Sequence, residues 1–170
     1  MATIPDQPQY PNSKDRHSYE SGLAFQDFVS DLLREELGIV ITNYQSQRFQ
    51  FGVGENKQGI EIKLDRDILR TGNVSIEVAE KTKTSNKEYV SSGIYRSDNS
   101  WLYIQGNTSI VFIFAKSTLR LLHKSGRYRE NTLPTLKSFL LPAEDARKYA
   151  AKVVEGKTEA QKLARWRLGQ

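Results

Sequence analysis

The sequence predicts an α/β domain in which a single mixed central β-sheet is flanked by helices. Its 170 residues are enough for one domain with an ordinary hydrophobic core. An amphipathic helical pattern comes first, segments rich in β-branched and aromatic residues fill the middle, and helical patterns return towards the end. This order of helix, strand block and helix is typical of a mixed α/β fold built on one sheet.

Composition divides the chain into three parts. Residues 1–16 contain three prolines among polar residues, which favours a flexible N-terminal lead. Residues 17–142 hold the predicted α/β core. Residues 143–170 are predicted to form a basic helical C-terminal extension, because Pro142 is a typical helix start and the residues after it are good helix formers.

The individual elements follow from the spacing of apolar residues. The segment 18–38, SYESGLAFQDFVSDLLREELG, places an apolar stripe on one helix face, and Gly38 is a typical stop signal. KSTLRLLHK at 116–124 predicts a short helix, and 126–139 is expected to be irregular. The third and fourth of six predicted strands are joined by a polar turn and are expected to pair as a hairpin. The six strands are 39–44, 48–53, 59–65, 74–80, 101–105 and 109–115.

Composition also excludes several classes of site and location. The chain has no cysteine, which excludes disulfides and cysteine-based zinc sites, and it has only two histidines. Its first residues lack the apolar segment of a signal peptide, and no apolar run approaches the ~18 residues of a membrane span. We therefore expect a cytoplasmic protein with no membrane partner.

The charge distribution predicts a polyanionic partner. Residues 1–114 carry 12 Lys and Arg against 15 Asp and Glu, whereas residues 115–170 carry 13 against 5. A basic second half suits contacts with the phosphates of a polyanion, although a solvated basic helix face explains the same counts. The basic residues expected to contact phosphates are Arg127, Arg129, Lys137, Arg147, Lys148, Lys162, Arg165 and Arg167.

A cluster of charges lies on the predicted hairpin. Alternate strand residues share a face, so Glu61, Lys63 and Asp65 line one side of the third strand, and Glu77 on the next strand can converge with them. Carboxylates on one patch repel each other unless a cation neutralises them, and hard oxygen ligands suit Mg²⁺ or Mn²⁺. A lysine among them adds a donor for a phosphate oxygen or a water-activating group. The alternative is a solvent-facing strand pair with cross-strand salt bridges.

With its neighbours, this cluster resembles the PD-(D/E)XK nuclease superfamily, which has the restriction-endonuclease-like fold. The resemblance covers roughly residues 18–115 and is closest to small phage and bacterial members. It rests on an acid-x-Lys-x-Asp run, a Thr-Gly-Asn turn, a strand ending in Glu and a Ser-Gly-Ile segment. These are Glu61 to Asp65, then Thr71-Gly72-Asn73, Ile76-Glu77 and Ser92-Gly93-Ile94.

The resemblance implies site roles in either of two registers. In the first, Glu61 is a metal-ligating acid and Lys63 is the lysine of the motif. The superfamily usually has an Asp on the preceding strand, but RFQFGV contains no acid, and Glu55 is the nearest substitute. In the second, Asp65 and Glu77 are the two acids, Ala79 occupies the lysine position, and Lys63 supplies the ammonium from the neighbouring strand. The helix acid that many members use would be Glu20, which also suits the dipole of a helix start.

The resemblance also implies a function. We expect a Mg²⁺- or Mn²⁺-dependent DNA endonuclease that hydrolyses phosphodiester bonds in a bacterial cell and is encoded by a phage or its host. The alternative is a catalytically inactive nucleic-acid-binding or assembly protein with the same fold, and the missing acid on RFQFGV motivates it. DNA is the expected partner, and a homodimer is left open.

Overall fold

The computed structural model describes residues 13–43, 50, 52–156 and 162, with side chains from residue 20 onward. It confirms an α/β fold with a mixed sheet and flanking helices, and it divides the strands between two four-stranded sheets. The elements are α1 (Ser13–Leu37), β1 (Ile60–Leu64), α2 (Ile68–Thr71), β2 (Asn73–Glu80), β3 (Val90–Ser91), a 3₁₀ turn (Gly93–Tyr95), β4 (Leu102–Gly106), β5 (Ile110–Ala115), α3 (Lys116–Lys124), β6 (Glu130–Thr132), β7 (Leu136–Pro142), α4 (Ala143–Tyr149) and β8 (Lys152–Glu155).

Helix α1 forms where the apolar spacing predicts it. Its buried face includes Phe25, Phe28 and Leu32, which recur at helical intervals. The helix ends before Gly38, whose φ of 66° is the left-handed conformation that glycine adopts without a steric penalty. The predicted lead of residues 1–16 is therefore helical from Ser13 onward, and residues 1–12 lie outside the described residues. No helix in the described part of the chain has the length and apolar character needed to cross a membrane.

The first sheet has the strand order β1-β4-β5-β8 and is mixed. Strand β1 runs parallel to β4, whereas β4 with β5 and β5 with β8 are antiparallel. The second sheet has the order β3-β2-β7-β6 and is antiparallel throughout. The predicted strands 101–105 and 109–115 are confirmed as the hairpin β4–β5, and the predicted helix 116–124 is confirmed as α3.

Two cores divide the fold into three layers. Ile60 and Ile62 of β1 pack with α1 against one face of the first sheet. Tyr103 and Phe112, on the other face of that sheet, pack with the apolar residues of the second sheet, such as Ile76. The first sheet is therefore the middle layer, and side chains on its second face point towards the β2 sheet.

The predicted hairpin between strands 59–65 and 74–80 is wrong. β1 pairs with β4 along its length, while β2 pairs with β3 and β7 in the other sheet. Between them α2 ends at Gly72, whose φ of 69° reverses the chain, and the Thr71 hydroxyl accepts a hydrogen bond from the Asn73 N–H. This turn sends β2 away from a direct partner position beside β1.

Other strand predictions need correction. The predicted strand 39–44 is wrong for residues 39–42, where Ile39 and Ile41 pack onto the α1 core without strand pairing. Asn43 forms an isolated antiparallel bridge with Asn56, and residue 44 lies outside the described residues. Within 48–53, residues 50 and 52 are helical, and residues 48, 49 and 51 lie outside the described residues. The expected irregular segment 126–139 contains β6 and the start of β7, whose Phe139 is fully buried between the sheets.

The C-terminal extension is only partly helical. Helix α4 covers residues 143–149, but the predicted helix is wrong over residues 152–155, because β8 pairs with β5 and buries Val154. Two adjacent valines favour a strand over a helix at this point. Ala146 and Val154 join the two cores, and residues 157–161 and 163–170 of the predicted extension lie outside the described residues.

Candidate active site

Strand β1 separates apolar and charged side chains by alternation. Ile60 and Ile62 point towards α1, whereas Glu61 and Lys63 point towards the second sheet. Asp65 follows the strand directly and also contacts β2, since its Oδ2 accepts the Ser75 N–H at 3.1 Å. The predicted convergence of these charges with β2 therefore occurs across two sheets instead of within a hairpin.

Glu61 lies at the buried end of the row of charged side chains that β1 directs towards the second sheet, and we call this the closed end. Only 1% of its side chain is exposed. The Lys63 ammonium lies 3.2 Å from Oε1, and the Lys116 ammonium lies 2.7 Å from Oε2. Each oxygen of Glu61 therefore faces a protein cation, and the carboxylate is sealed from solvent.

Lys116 is a charged residue that the sequence analysis missed. Its side chain is 1% exposed, and its ammonium also lies 3.5 Å from Asp98 Oδ1. It donates hydrogen bonds to the Gly93 carbonyl at 3.0 Å and to the Ser100 hydroxyl. We call Glu61, Lys116 and Asp98 the buried charge cluster. Its opposite charges are paired, although neither oxygen of the buried Glu61 carboxylate has a hydrogen-bond donor of good geometry among the described residues.

The surroundings of Asp98 favour its ionised form. Burial alone would raise the pKa of the Asp98 carboxyl. Hydrogen bonds from Ser100 and the charges of Lys116 and Arg96 outweigh burial and hold that pKa below its usual value. Ion pairs in the cluster therefore join β1, the start of α3 and the loop before β4.

An open cavity of about 420 Å³ lies at the other end of the charged side. Its polar wall comes from β1, β2 and β4, and its rim comes from the α2 turn, α1 and β7. The lining residues are Gly22, Lys63, Leu64, Asp65, Arg66, Asp67, Ser75, Glu77, Tyr103, Gln105 and Leu136. We call Lys63, Asp65, Glu77 and Gln105 the open site.

Asp65 is the most firmly held carboxylate of the open site. Its Oδ1 accepts the Asp67 N–H at 3.1 Å, and its Oδ2 accepts the Ser75 N–H at 3.1 Å and the Gln105 amide at 2.9 Å. Because three donors from three elements fix it, its orientation is set before any ligand binds. Each oxygen has two lone pairs, so Oδ1 keeps one acceptor position among the described contacts.

Lys63 joins the closed and open ends. Its ammonium lies 3.6 Å from Glu77 Oε2 in addition to its contact with Glu61. Burial works to lower the pKa of Lys63, but the carboxylates of Glu77, Glu61 and Glu55 outweigh it and raise that pKa above its ordinary value of 10.5. Lys63 is therefore an ammonium at neutral pH, which suits it to donate to an oxyanion and not to take a proton from water.

Glu77 is positioned by two features of β2. The pairing of β2 with β7 shifts register between Glu77 and Ala79, which is a β-bulge beside the site. Gly93 packs directly on the Glu77 backbone, since a Cβ at Gly93 would lie 2.3 Å from the Glu77 carbonyl oxygen. The Ser-Gly-Ile segment therefore links the open site to the buried charge cluster, because the Gly93 carbonyl also accepts from Lys116.

Gln105 is a second residue that the sequence analysis missed. It lies opposite Lys63 in the parallel pairing of β1 and β4, and 3% of it is exposed. Its amide nitrogen donates to Asp65 and to the Ser75 carbonyl, whereas its Oε1 is buried without a hydrogen-bond donor among the described residues. The only sequence signal for it is a polar residue at the end of the apolar strand WLYIQ.

The other predicted acids do not line the cavity formed by the described residues. Glu55 accepts the Ile62 N–H at 3.1 Å, and burial raises the pKa of its carboxyl. Glu20 is exposed on α1, two residues before the cavity-lining Gly22. Of the residues named in the two registers, the open site therefore brings together Asp65, Glu77 and Lys63.

The described residues that were predicted to contact DNA do not line the open cavity. Arg147 forms an ion pair with Glu155, Arg127 lies over the ring of Tyr128, and Lys148 lies over the ring of Tyr149. Arg129 and Lys162 are exposed, whereas Lys137 is partly buried on β7. Arg165 and Arg167 lie outside the described residues.

Comparison of the chain with protein-family models, curated proteins and solved structures gave no match. The resemblance to the PD-(D/E)XK superfamily therefore stays a prediction from the motif order. Among the described residues, no group of three or more His, Asp or Glu side chains is arranged to hold a metal ion. Any metal at the open site would thus depend on two carboxylates and other oxygen donors.

Proposed function

We propose that this protein is a metal-dependent DNA endonuclease that uses the open site. The observation that carries the proposal is the meeting of Asp65, Glu77 and the Lys63 ammonium on the wall of one open cavity. Two acids and one lysine are the residue types that the second register assigns to the reaction. Glu61, the acid of the first register, is closed off by two lysines and serves as a support.

The donor set of the open site fits Mg²⁺ or Mn²⁺. Mg²⁺ is commonly bound by one or two carboxylates together with waters and substrate phosphates. Asp65 and Glu77 would supply the carboxylates, and the buried Gln105 Oε1, which lacks a described donor, would supply a neutral oxygen directly or through water. When bound, the metal would supply Lewis acidity at the phosphoryl group and lower the pKa of a bound water.

The chain's own residues would prepare the phosphodiester for attack. Lys63, as an ammonium, would donate to a non-bridging phosphate oxygen and stabilise the charge that develops when water attacks phosphorus. The hydrogen bonds of Asp65 keep its carboxylate from rotating, which preserves the site geometry. Arg66 lies exposed on the cavity rim and would hold a neighbouring phosphate of the same strand.

Cleavage of supercoiled plasmid tests this proposal. Wild type should nick or linearise the plasmid with Mg²⁺ or Mn²⁺ and leave it intact with chelator. Asp65→Asn and Glu77→Gln should lower the rate by about 100-fold or more, because each removes a charged oxygen ligand. Asp67→Asn is the matched control, since Asp67 lies on the same cavity but is exposed and paired with Arg70. Wild-type rates in Asp65→Asn would overturn the proposal.

A second candidate is a DNA-binding protein that does not cleave. The absence of a three-acid metal group among the described residues favours it. In that case the wild type should bind DNA and leave the plasmid intact with either metal, and Asp65→Asn should change neither property.

A further inference from the structure

A tyrosine with two lysines lies on the second sheet, outside the open site. The Lys81 ammonium lies 4.3 Å and the Lys137 ammonium 4.6 Å from the centre of the Tyr89 ring. The Tyr89 hydroxyl donates to the Leu133 carbonyl at 2.5 Å, which fixes the ring. Two cations from neighbouring strands are therefore held on one aromatic ring by cation–π attraction.

This group, the Tyr89 cluster, lies beside the cavity. Leu136, which pairs with Glu80 at the end of β2, lines the cavity wall. Lys137 is the next residue of β7, and the Lys81 N–H donates to the Thr135 carbonyl at 2.8 Å. Lys137 is therefore the chain neighbour of the cavity-lining Leu136, and strand alternation places its side chain on the opposite face of the second sheet from that of Leu136.

The charges of the Tyr89 cluster are not neutralised by the described residues. Neither Lys81 nor Lys137 forms an ion pair with a described carboxylate, although Glu80 and Glu88 lie close in sequence. Two ammonium groups on one ring repel each other, and a shared anion would relieve that repulsion. Lysines without a carboxylate partner are typical of phosphate contacts with nucleic acid.

We propose that Lys81 and Lys137, positioned by Tyr89, bind a backbone phosphate of the DNA strand that enters the cavity. This inference rests on the proposed function and adds the route by which the strand leaves the open site, around the end of β7 at Leu136. It also places DNA contacts on the second sheet and in the loop 81–89, and Lys137 is itself one of the basic residues predicted from the sequence to contact DNA.

Binding of a fluorescently labelled DNA duplex, measured by anisotropy in chelator, tests the inference without cleavage. Lys81→Ala/Lys137→Ala should weaken binding about tenfold at 0.1 M salt, and the slope of log K against log [salt] should fall by about 0.9 for each phosphate that the variant no longer binds. Lys83→Ala/Lys87→Ala is the matched control, because it removes the same charge from exposed residues of the same loop. Equal binding by the two double variants would overturn the inference.

Variants of the ring separate position from charge. Tyr89→Phe keeps the ring and should bind close to wild type, whereas Tyr89→Leu should weaken binding, since the two ammonium groups lose their shared support. Unchanged binding by Tyr89→Leu, with the protein shown to be folded by its melting transition, would also contradict the inference. Asp65→Asn should bind DNA as wild type does while failing to cut it, so loss of cleavage and loss of binding are read separately.

Discussion

The two ends of the charged side of β1 carry the same kinds of residue and do different work. Glu61 and Asp65 are acids four residues apart, and Lys63 lies between them. Glu61 is sealed by two ammonium groups, whereas Asp65 lines an open cavity and is held by neutral donors. The comparison teaches that burial and partners, and not the acid-x-Lys pattern, decide which carboxylate is available to a ligand.

Removing the cation of the closed end should have the largest effect. Lys116→Met leaves Glu61 and Asp98 buried without this partner, and breaking a buried ion pair costs about 3–5 kcal/mol of unfolding free energy. Urea denaturation measures the loss. Lys124→Met, an exposed lysine of the same helix, is the control and should stay within about 0.5 kcal/mol. Equal stability of the two variants would show that Lys116 is not an essential partner of Glu61.

Substitution of Gly93, which contacts both Glu77 of the open site and Lys116 of the buried charge cluster, should have the next largest effect. Gly93→Ala places a Cβ 2.3 Å from the Glu77 carbonyl oxygen at a φ of +52°, so overpacking and the left-handed backbone act together. We expect a loss of about 2–4 kcal/mol by the same denaturation measurement. Gly126→Ala has a similar φ of +67° but open space around its Cβ, and it should show only the smaller backbone cost. If Gly93→Ala lost no more unfolding free energy than Gly126→Ala, Gly93 would not be tightly packed on Glu77.

Neutralising the closed acid sharpens the comparison further. Glu61→Gln keeps the shape but weakens two charge-assisted interactions, which should lower the metal-free unfolding free energy by about 1–3 kcal/mol. Glu77→Gln, whose carboxylate has one described ion pair, should cost less than about 1 kcal/mol. If Glu61→Gln were neutral or stabilising in chelator, repulsion among the acids would outweigh the pairing with Lys116.

The smallest expected effect is that of Lys63 on stability, and it has a pH signature. The folded-state pKa of Lys63 is raised, so its contribution is fully present below 10.5 and is lost only as pH rises through the higher folded value. Lys63→Met should therefore lose roughly 1 kcal/mol or less, because the side chain is 31% exposed, and the loss should be constant from pH 6 to about 9. A difference that disappears near neutral pH would mean that Lys63 titrates there and can act as a base.

Local patterns predict only those parts of the fold that depend on local spacing. Helix α1, the hairpin β4–β5 and helix α3 follow from apolar periodicity and short connections. The pairing of β1 with β4 joins Lys63 to Gln105, and no local signal shows that β2 leaves for another sheet. Strand β8 was not predicted either, because it is a strand through its pairing with β5, which lies about 40 residues earlier in the chain.

The candidate site was predictable to the same extent. The alternation of apolar and charged residues along two predicted strands indicated Lys63, Asp65 and Glu77 as site residues, because charged residues are uncommon at strand positions that only pack against a core. It could not show that Lys116, 55 positions after Glu61, closes that acid, nor that Gln105 braces Asp65. Both interactions depend on tertiary packing that a single sequence does not display.

The thermal melt of four proteins with and without Mn²⁺ tests most directly the claim that the open end binds metal and the closed end does not. A divalent ion that binds only the folded state at a hundredfold excess over its Kd adds about 2.7 kcal/mol. We expect the wild-type Tm to rise by roughly 5–10 °C, which is that free energy at the ~2–4 °C per kcal/mol usual for a domain of this size. Asp65→Asn and Glu77→Gln should lose most of the rise, whereas Glu61→Gln should melt lower in chelator and keep it. A wild-type Tm indifferent to Mn²⁺, or a rise abolished by Glu61→Gln and retained by Asp65→Asn, would contradict the account.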